Sequence, residues 1–267
     1  AKESTWNTDI EQRIRTDYAK LRETFEVPSL SAELLHFMET DCDFSAEHAD
    51  GSFMEHLLYG YEYSLRHYPT YSPLVMLLHS IMGTATNTFA METTHIPKLR
   101  SLLTDFEFLH ISAFPSFLRL MYEPTFFESI LSNKDRLHEL NGIRFHRVID
   151  NEVMELDAEN LWIQLNYHLM HFVDFLPVAN WQTHRSDPLI QIFIQLSDFL
   201  DAVDKRQAKV DFPIPEKIFL KPKQEKLSLG SHLSNWLPAG LKMKLATKSI
   251  RKFSKNIGHT LTFELLW

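Results

Sequence analysis

Apolar residues recur at helical spacing through most of this chain, and prolines more often than glycines punctuate the runs. Only 7 glycines occur in 267 residues. That scarcity argues against a turn-rich β-sandwich and a dinucleotide fold built on glycine loops. The pattern predicts an all-α chain. Residues 6–26 read as a polar, partly amphipathic helix, and SLSAELLHFMET as a short one with Ser31 at its N-cap. DCDFSAEHADG reads as a loop. A helix follows over SFMEHLLYGYEYSLRHY, with Ser52 and Glu55 as a capping box. Pro69 and Pro73 mark a turn, and PLVMLLHSIMGTA reads as a buried helix started by Pro73. Further helices are expected over 95–110, 115–133, 158–176 and 188–208. Residues 143–157 break the helical period and fit either a hairpin across Asp150-Asn151 or a loop. Pro213, Pro215 and Pro222 predict an extended arm, followed by a short helix and a final strand or helix. The expected division is a helical domain over 1–210 and an arm with a C-terminal segment, 211–267, packing on it.

The formal charge of −8 disfavours a nucleic-acid partner. The stretch LKMKLATKSIRKFSK opposes that balance with Lys242, Lys244, Lys248, Arg251, Lys252 and Lys255 and no acid. It suits a phosphate-binding or peripheral membrane surface, or pairing with the acidic body of this chain or of a second subunit in a homodimer. Beyond Phe253 it carries no aromatic for base stacking. No run of eighteen apolar residues predicts a membrane span. Cys42, the single cysteine, excludes an intrachain disulfide and a cysteine zinc cluster, and a cytoplasmic location is the default expectation. The sequence lacks the P-loop, G-x-G-x-x-G, H-E-x-x-H and G-x-S-x-G motifs.

Fourteen histidines are many for this length, and several stand in apolar helical segments. Neutral imidazole is a good ligand for zinc or iron. His48 lies in the loop before the helix of His56, and His79 lies in the most apolar segment. The Pro69-to-Pro73 turn can bring those two helices side by side. His168, His171 and Asp174 are spaced three apart on a later helix, with Asn166 just before them. His171 or Asp174 is a candidate fourth ligand or orienting group. Asp41, Asp43, Glu47 and Asp50 either line such a site or solvate a loop. Tyr59 and Tyr63 share a helix face within a run that includes Tyr61, Tyr68 and Tyr71, and either contact a substrate or pack.

The block HADGSFMEHLLYGYEYSLRHYPTYSPLVMLLHSIMGTATNTF resembles an uncharacterised family related to the HD-domain superfamily. The matching residues are His48, His56, His79, Ser80, Gly83 and Thr84, with Asn166 closest to the family's late Asn or Asp. The resemblance covers roughly residues 45 to 180. It implies an all-helical, HD-domain-like core and a metal site. Many superfamily members are metal-dependent phosphohydrolases, and a minority are di-iron oxygenases. Ser80 replaces the Asp of the usual His-Asp dyad, which puts a two-metal clamp in doubt. The leading expectation is an iron oxygenase acting on a small organic substrate. His48, His56 and His79 would hold iron, or another divalent metal such as zinc, and Tyr59 or Tyr63 would meet the substrate. The alternatives are an HD-type metal-dependent hydrolase and a non-catalytic helical binding or scaffold protein with a degenerate site.

Overall fold

The computed structural model describes residues 30–42, 47–48, 51–86, 89, 91–175, 188–210 and 237–267. The expected helix over 6–26 and the proline-rich arm lie outside the described residues. Helix α1 spans Ala32–His36 and is capped by Ser31, whose hydroxyl accepts from the Leu34 N–H at 3.1 Å. It widens into a π-helical turn over Phe37–Asp41. The segment read as a loop contains a two-residue antiparallel ladder, β1 Glu47–His48 with β2 Gly51–Ser52. Helix α2 spans Phe53–His67.

The helix expected over 73–85 is far shorter. Helix α3 covers only Leu74–Leu77, and successive turns carry the chain to Gly83 at φ +132°. In those turns the His79 ring Nδ1 donates to the Met76 carbonyl at 2.7 Å, so a side chain serves an acceptor that a longer helix would bond through its backbone. Boundaries shift downstream as well. Helix α4 spans Ile96–Ser101 and helix α5 Asp105–Leu120, with a Thr104–Glu107 capping box starting α5. Pro115, expected near the start of a helix, lies inside α5. Helix α6, Pro124–Leu131, carries its proline in the first turn, where no N–H is missed.

The all-α expectation is corrected by a three-stranded antiparallel sheet in the order β4-β3-β5, although helices dominate the described residues. Strand β3 is Gly142–His146, β4 is Val153–Asp157 and β5 is Phe263–Leu266. Of the two readings of 143–157, the hairpin is the one observed, and Asn151 takes the left-handed conformation at φ +60°. The pleat sorts the sheet by face. Ile143 and Phe145 point into the core, opposite Leu156 and Met154 on one side and Leu265 and Phe263 on the other. Arg144 points outward and bridges Glu155 at 2.7 Å and Glu264 at 2.6 Å.

Helix α7, Ala158–Phe175, organises the interior. It is buried all round from Leu161 to Phe172, as suits a helix with no solvent face. Leu161, Leu165, Leu169 and Phe172 join one apolar cluster with Phe117, Phe126 and Phe145. Ile163, Tyr167 and Met170 join a second with Phe37, Leu77 and Phe114. Each such side chain contributes on the order of 1.5–3 kcal/mol by leaving water. Helix α8, Pro188–Ala202, packs on α7, and helix α9, Ala239–Asn256, packs on α8. The C-terminal segment is fastened further by polar bonds. Arg251 grips Glu123 through two bonds of 2.8 and 2.6 Å, and Thr247 donates to the Tyr122 carbonyl. The fully buried Arg119 donates to the Thr84 carbonyl and to the Ser254 hydroxyl. Burial pushes the Arg119 pKa down to about 10.

Candidate functional site

The turn after α3 and the middle of α7 bring His79 and His171 together, with ring centroids 4.5 Å apart. His168 lies one turn before His171, at 6.4 Å between centroids. Phe114 of α5 fills the space between them, 5.1 Å from His79, 5.2 Å from His171 and 4.0 Å from His168. All three imidazoles are buried. Because Nδ1 of His79 donates to Met76, its Nε2 carries the lone pair in the neutral ring.

A second polar group runs along α7 from its N-terminus. Asp157 stands at the N-cap and accepts from the Asn160 N–H at 2.7 Å. Its carboxylate also accepts from the Asn160 side-chain amide at 3.0 and 3.1 Å, which leaves Asn160 Oδ1 to receive a proton. His110 of α5 reaches that oxygen through Nε2 at 2.9 Å and meets the Gln164 amide through Nδ1 at 2.7 Å. The far end of the same amide meets His168 Nε2 at 3.3 Å. Burial lowers the pKa of His110 and drives that of His168 well down, so both rings are neutral. A neutral His110 has one N–H, which goes to Asn160. The structure sets Gln164 Oε1 at His110 Nδ1 and Gln164 Nε2 at His168 Nε2; a neutral His110 requires the amide turned by half a rotation, with its NH₂ donating to His110 Nδ1 and its oxygen accepting from His168 Nε2–H. The chain Asp157–Asn160–His110–Gln164–His168 thus consumes its own donors and acceptors, apart from the His168 Nδ1 lone pair.

This interior overturns the metal-centre expectation. Among the described residues, no three His, Cys, Asp or Glu side chains group to hold a metal ion. His79 and His171 meet, but among the described residues Phe114 packs against both rings and His168 is turned to Gln164. Asn166 is not available either. Its oxygen accepts from the Gln207 and Ala208 N–H groups, and its amide donates to the Trp162 and Lys205 carbonyls. The expected iron or zinc cofactor, the iron-oxygenase activity and the HD-type metal-dependent hydrolase are therefore corrected. The side chains of His48, His56, Tyr59 and Asp174, like those of Asp43, Glu47 and Asp50, lie outside the described ones. Of the candidates that remain, Tyr63 is half-buried and stacks on His67 at 4.0 Å. Tyr68 packs edge-on to Tyr167 and donates to Gln207, and Tyr71 stacks on Phe106. Asp41 pairs with Lys98 at 2.5 Å. Cys42 is buried, and that burial pushes its thiol up to about 12, out of reach of nucleophilic chemistry at neutral pH.

An open groove of about 530 Å³ lies instead between α6, α8 and the first turn of α9. Phe127, Leu131, Ile194, Phe199 and Met243 give it an apolar lining. Gln191, Gln195 and Asp198 add polar groups. Leu131 and Ile194 stand exposed at 40% and 44%. No family model, curated protein or solved structure matches this chain. Sequence reasoning missed this groove, because its walls come from three helices spread over more than a hundred residues. It also missed the His110–Gln164 pair. For the latter a signal existed: Asn160, Gln164 and His168 stand at four-residue spacing on one face of a largely apolar helix.

Proposed function

We propose that the chain is a non-catalytic helical binding protein, whose groove between α6, α8 and α9 takes a small apolar molecule. The observation that carries this reading is the groove itself, with Leu131 and Ile194 left in water on its rim. A volume of about 530 Å³ falls within the range of small-molecule sites. Asp198, with Gln191 and Gln195, suits a ligand bearing one hydrogen-bond donor. The buried histidines support the same reading, since among the described residues their rings face one another, phenyl groups and amides. The proposal includes descent from an HD-type helical scaffold whose site has degenerated. The packing of α2, α3 and α7 on one another supports that descent, as does Ser80 at the position of the dyad carboxylate.

The neutral fluorophore N-phenyl-naphthylamine, an apolar molecule with one N–H, tests the groove. Saturable fluorescence enhancement is expected with the full chain. Ile194→Asp is expected to weaken it by roughly tenfold or more, about 1.4 kcal/mol. Val153→Asp, which alters an exposed apolar residue on the sheet, is expected to leave it unchanged. Absence of saturable binding, or equal binding by both variants, would overturn the proposal.

A further inference from the structure

Helix α9 has two unlike faces. Thr247, Ile250 and Ser254 are buried, and the side toward the body also holds Lys242. The opposite face carries Lys244, Lys248, Lys252 and Lys255, all exposed, together with Leu241 at 43% and Leu245 at 51% exposure. At 100° per residue these six side chains fall within an arc of about 100°. Arg251 at the edge of the arc is taken by Glu123, whereas the four lysines have no ion pair among the described residues. The helix itself contains no acid.

We infer that this face docks on an anionic membrane surface. The inference goes beyond the groove and uses a neighbouring surface. Four unpaired cations on a chain of net charge −8 form a local field opposite to that of the whole, which orients the molecule toward an anionic plane. The two leucines decide between anionic partners. With Leu241 inside the lysine arc and Leu245 at its edge, they gain by entering the boundary between headgroups and acyl chains. They gain nothing against a phosphodiester backbone. Among the described residues no helix is long and apolar enough to cross a membrane, so the contact proposed is peripheral.

Co-sedimentation of the full chain with vesicles tests this. Binding is expected to vesicles with about a third phosphatidylserine, to fall steeply as salt is raised, and to be absent with pure phosphatidylcholine. Neutralising Lys248 and Lys252 to Gln is expected to weaken binding about 25-fold, at roughly fivefold per lysine. Leu241→Ser with Leu245→Ser is expected to weaken binding while leaving its salt dependence intact. Each variant is checked for an unchanged far-UV spectrum and unchanged N-phenyl-naphthylamine binding. That check separates failure of this inference from failure of the groove. No binding by the wild type, equal binding to both vesicle types, undiminished binding by the lysine variant, or tighter binding to duplex DNA than to the vesicles would overturn it.

Discussion

Gln164 shows how a single amide can set the state of two histidines. Its orientation lets His110 and His168 each stay neutral with one proton, in a place where burial makes a charged ring costly. His259 behaves alike near the C-terminus. Burial lowers its pKa to about 4, while its Nε2–H donates to the His146 carbonyl at 3.0 Å. All three shifts are downward, so the unfolded chain binds protons that the folded one refuses. Stability from these groups is full above the unfolded value of about 6.5 and is lost as pH falls toward 4. The urea midpoint is expected to fall across that window, before the carboxylates held low by Lys98 and Arg136 begin to protonate. His259→Gln is expected to flatten part of the slope. A midpoint that stays level or rises between pH 6.5 and 4 would contradict the assignment of neutral rings. The sequence made these histidines conspicuous by number. It did not show their partners, because a histidine's role follows from which amide the tertiary fold places against each nitrogen.

Elements were legible where a local signal was strong. Ser31 caps α1, and the apolar run over 158–176 becomes α7. Other boundaries depended on contacts distant in sequence. The segment 73–85 has the composition of a helix, yet it leaves helical geometry after Leu77, with His79 bonded back to Met76 and Gly83 at positive φ. The sheet was hidden for a similar reason. The hairpin of β3 and β4 could be suspected from its broken period, but β5 joins β3 from more than a hundred residues away. Gly142 is the tightest point of that sheet. A Cβ there would lie 2.2 Å from the Leu156 carbonyl oxygen. Gly142→Ala must therefore separate β3 from β4, and the expected cost is on the order of 2–4 kcal/mol in urea unfolding. A loss below about 0.5 kcal/mol would show that the strands do not approach as described.

At the scale of the whole molecule, α7 divides two apolar clusters and leaves little room between them for chemistry. Of its described polar side chains, Asn160 and Gln164 are spent on the bonds to Asp157, His110 and His168, and Asn166 on the fastening of residues 205–208. The metal expectation arose because sequence shows which helices carry histidines but not what stands between them. Here Phe114 does. Among the described residues, the surfaces proposed for function are the groove, where α9 meets α6 and α8, and the outward lysine-leucine face of α9. Metal content of the full chain, purified with iron and zinc supplied throughout, tests the non-catalytic account most directly. The account predicts well under about a tenth of an equivalent of either metal, and a thermal midpoint that a chelator leaves unchanged. About one equivalent retained by the wild type, and lost from a folded His79→Ala variant, would contradict it.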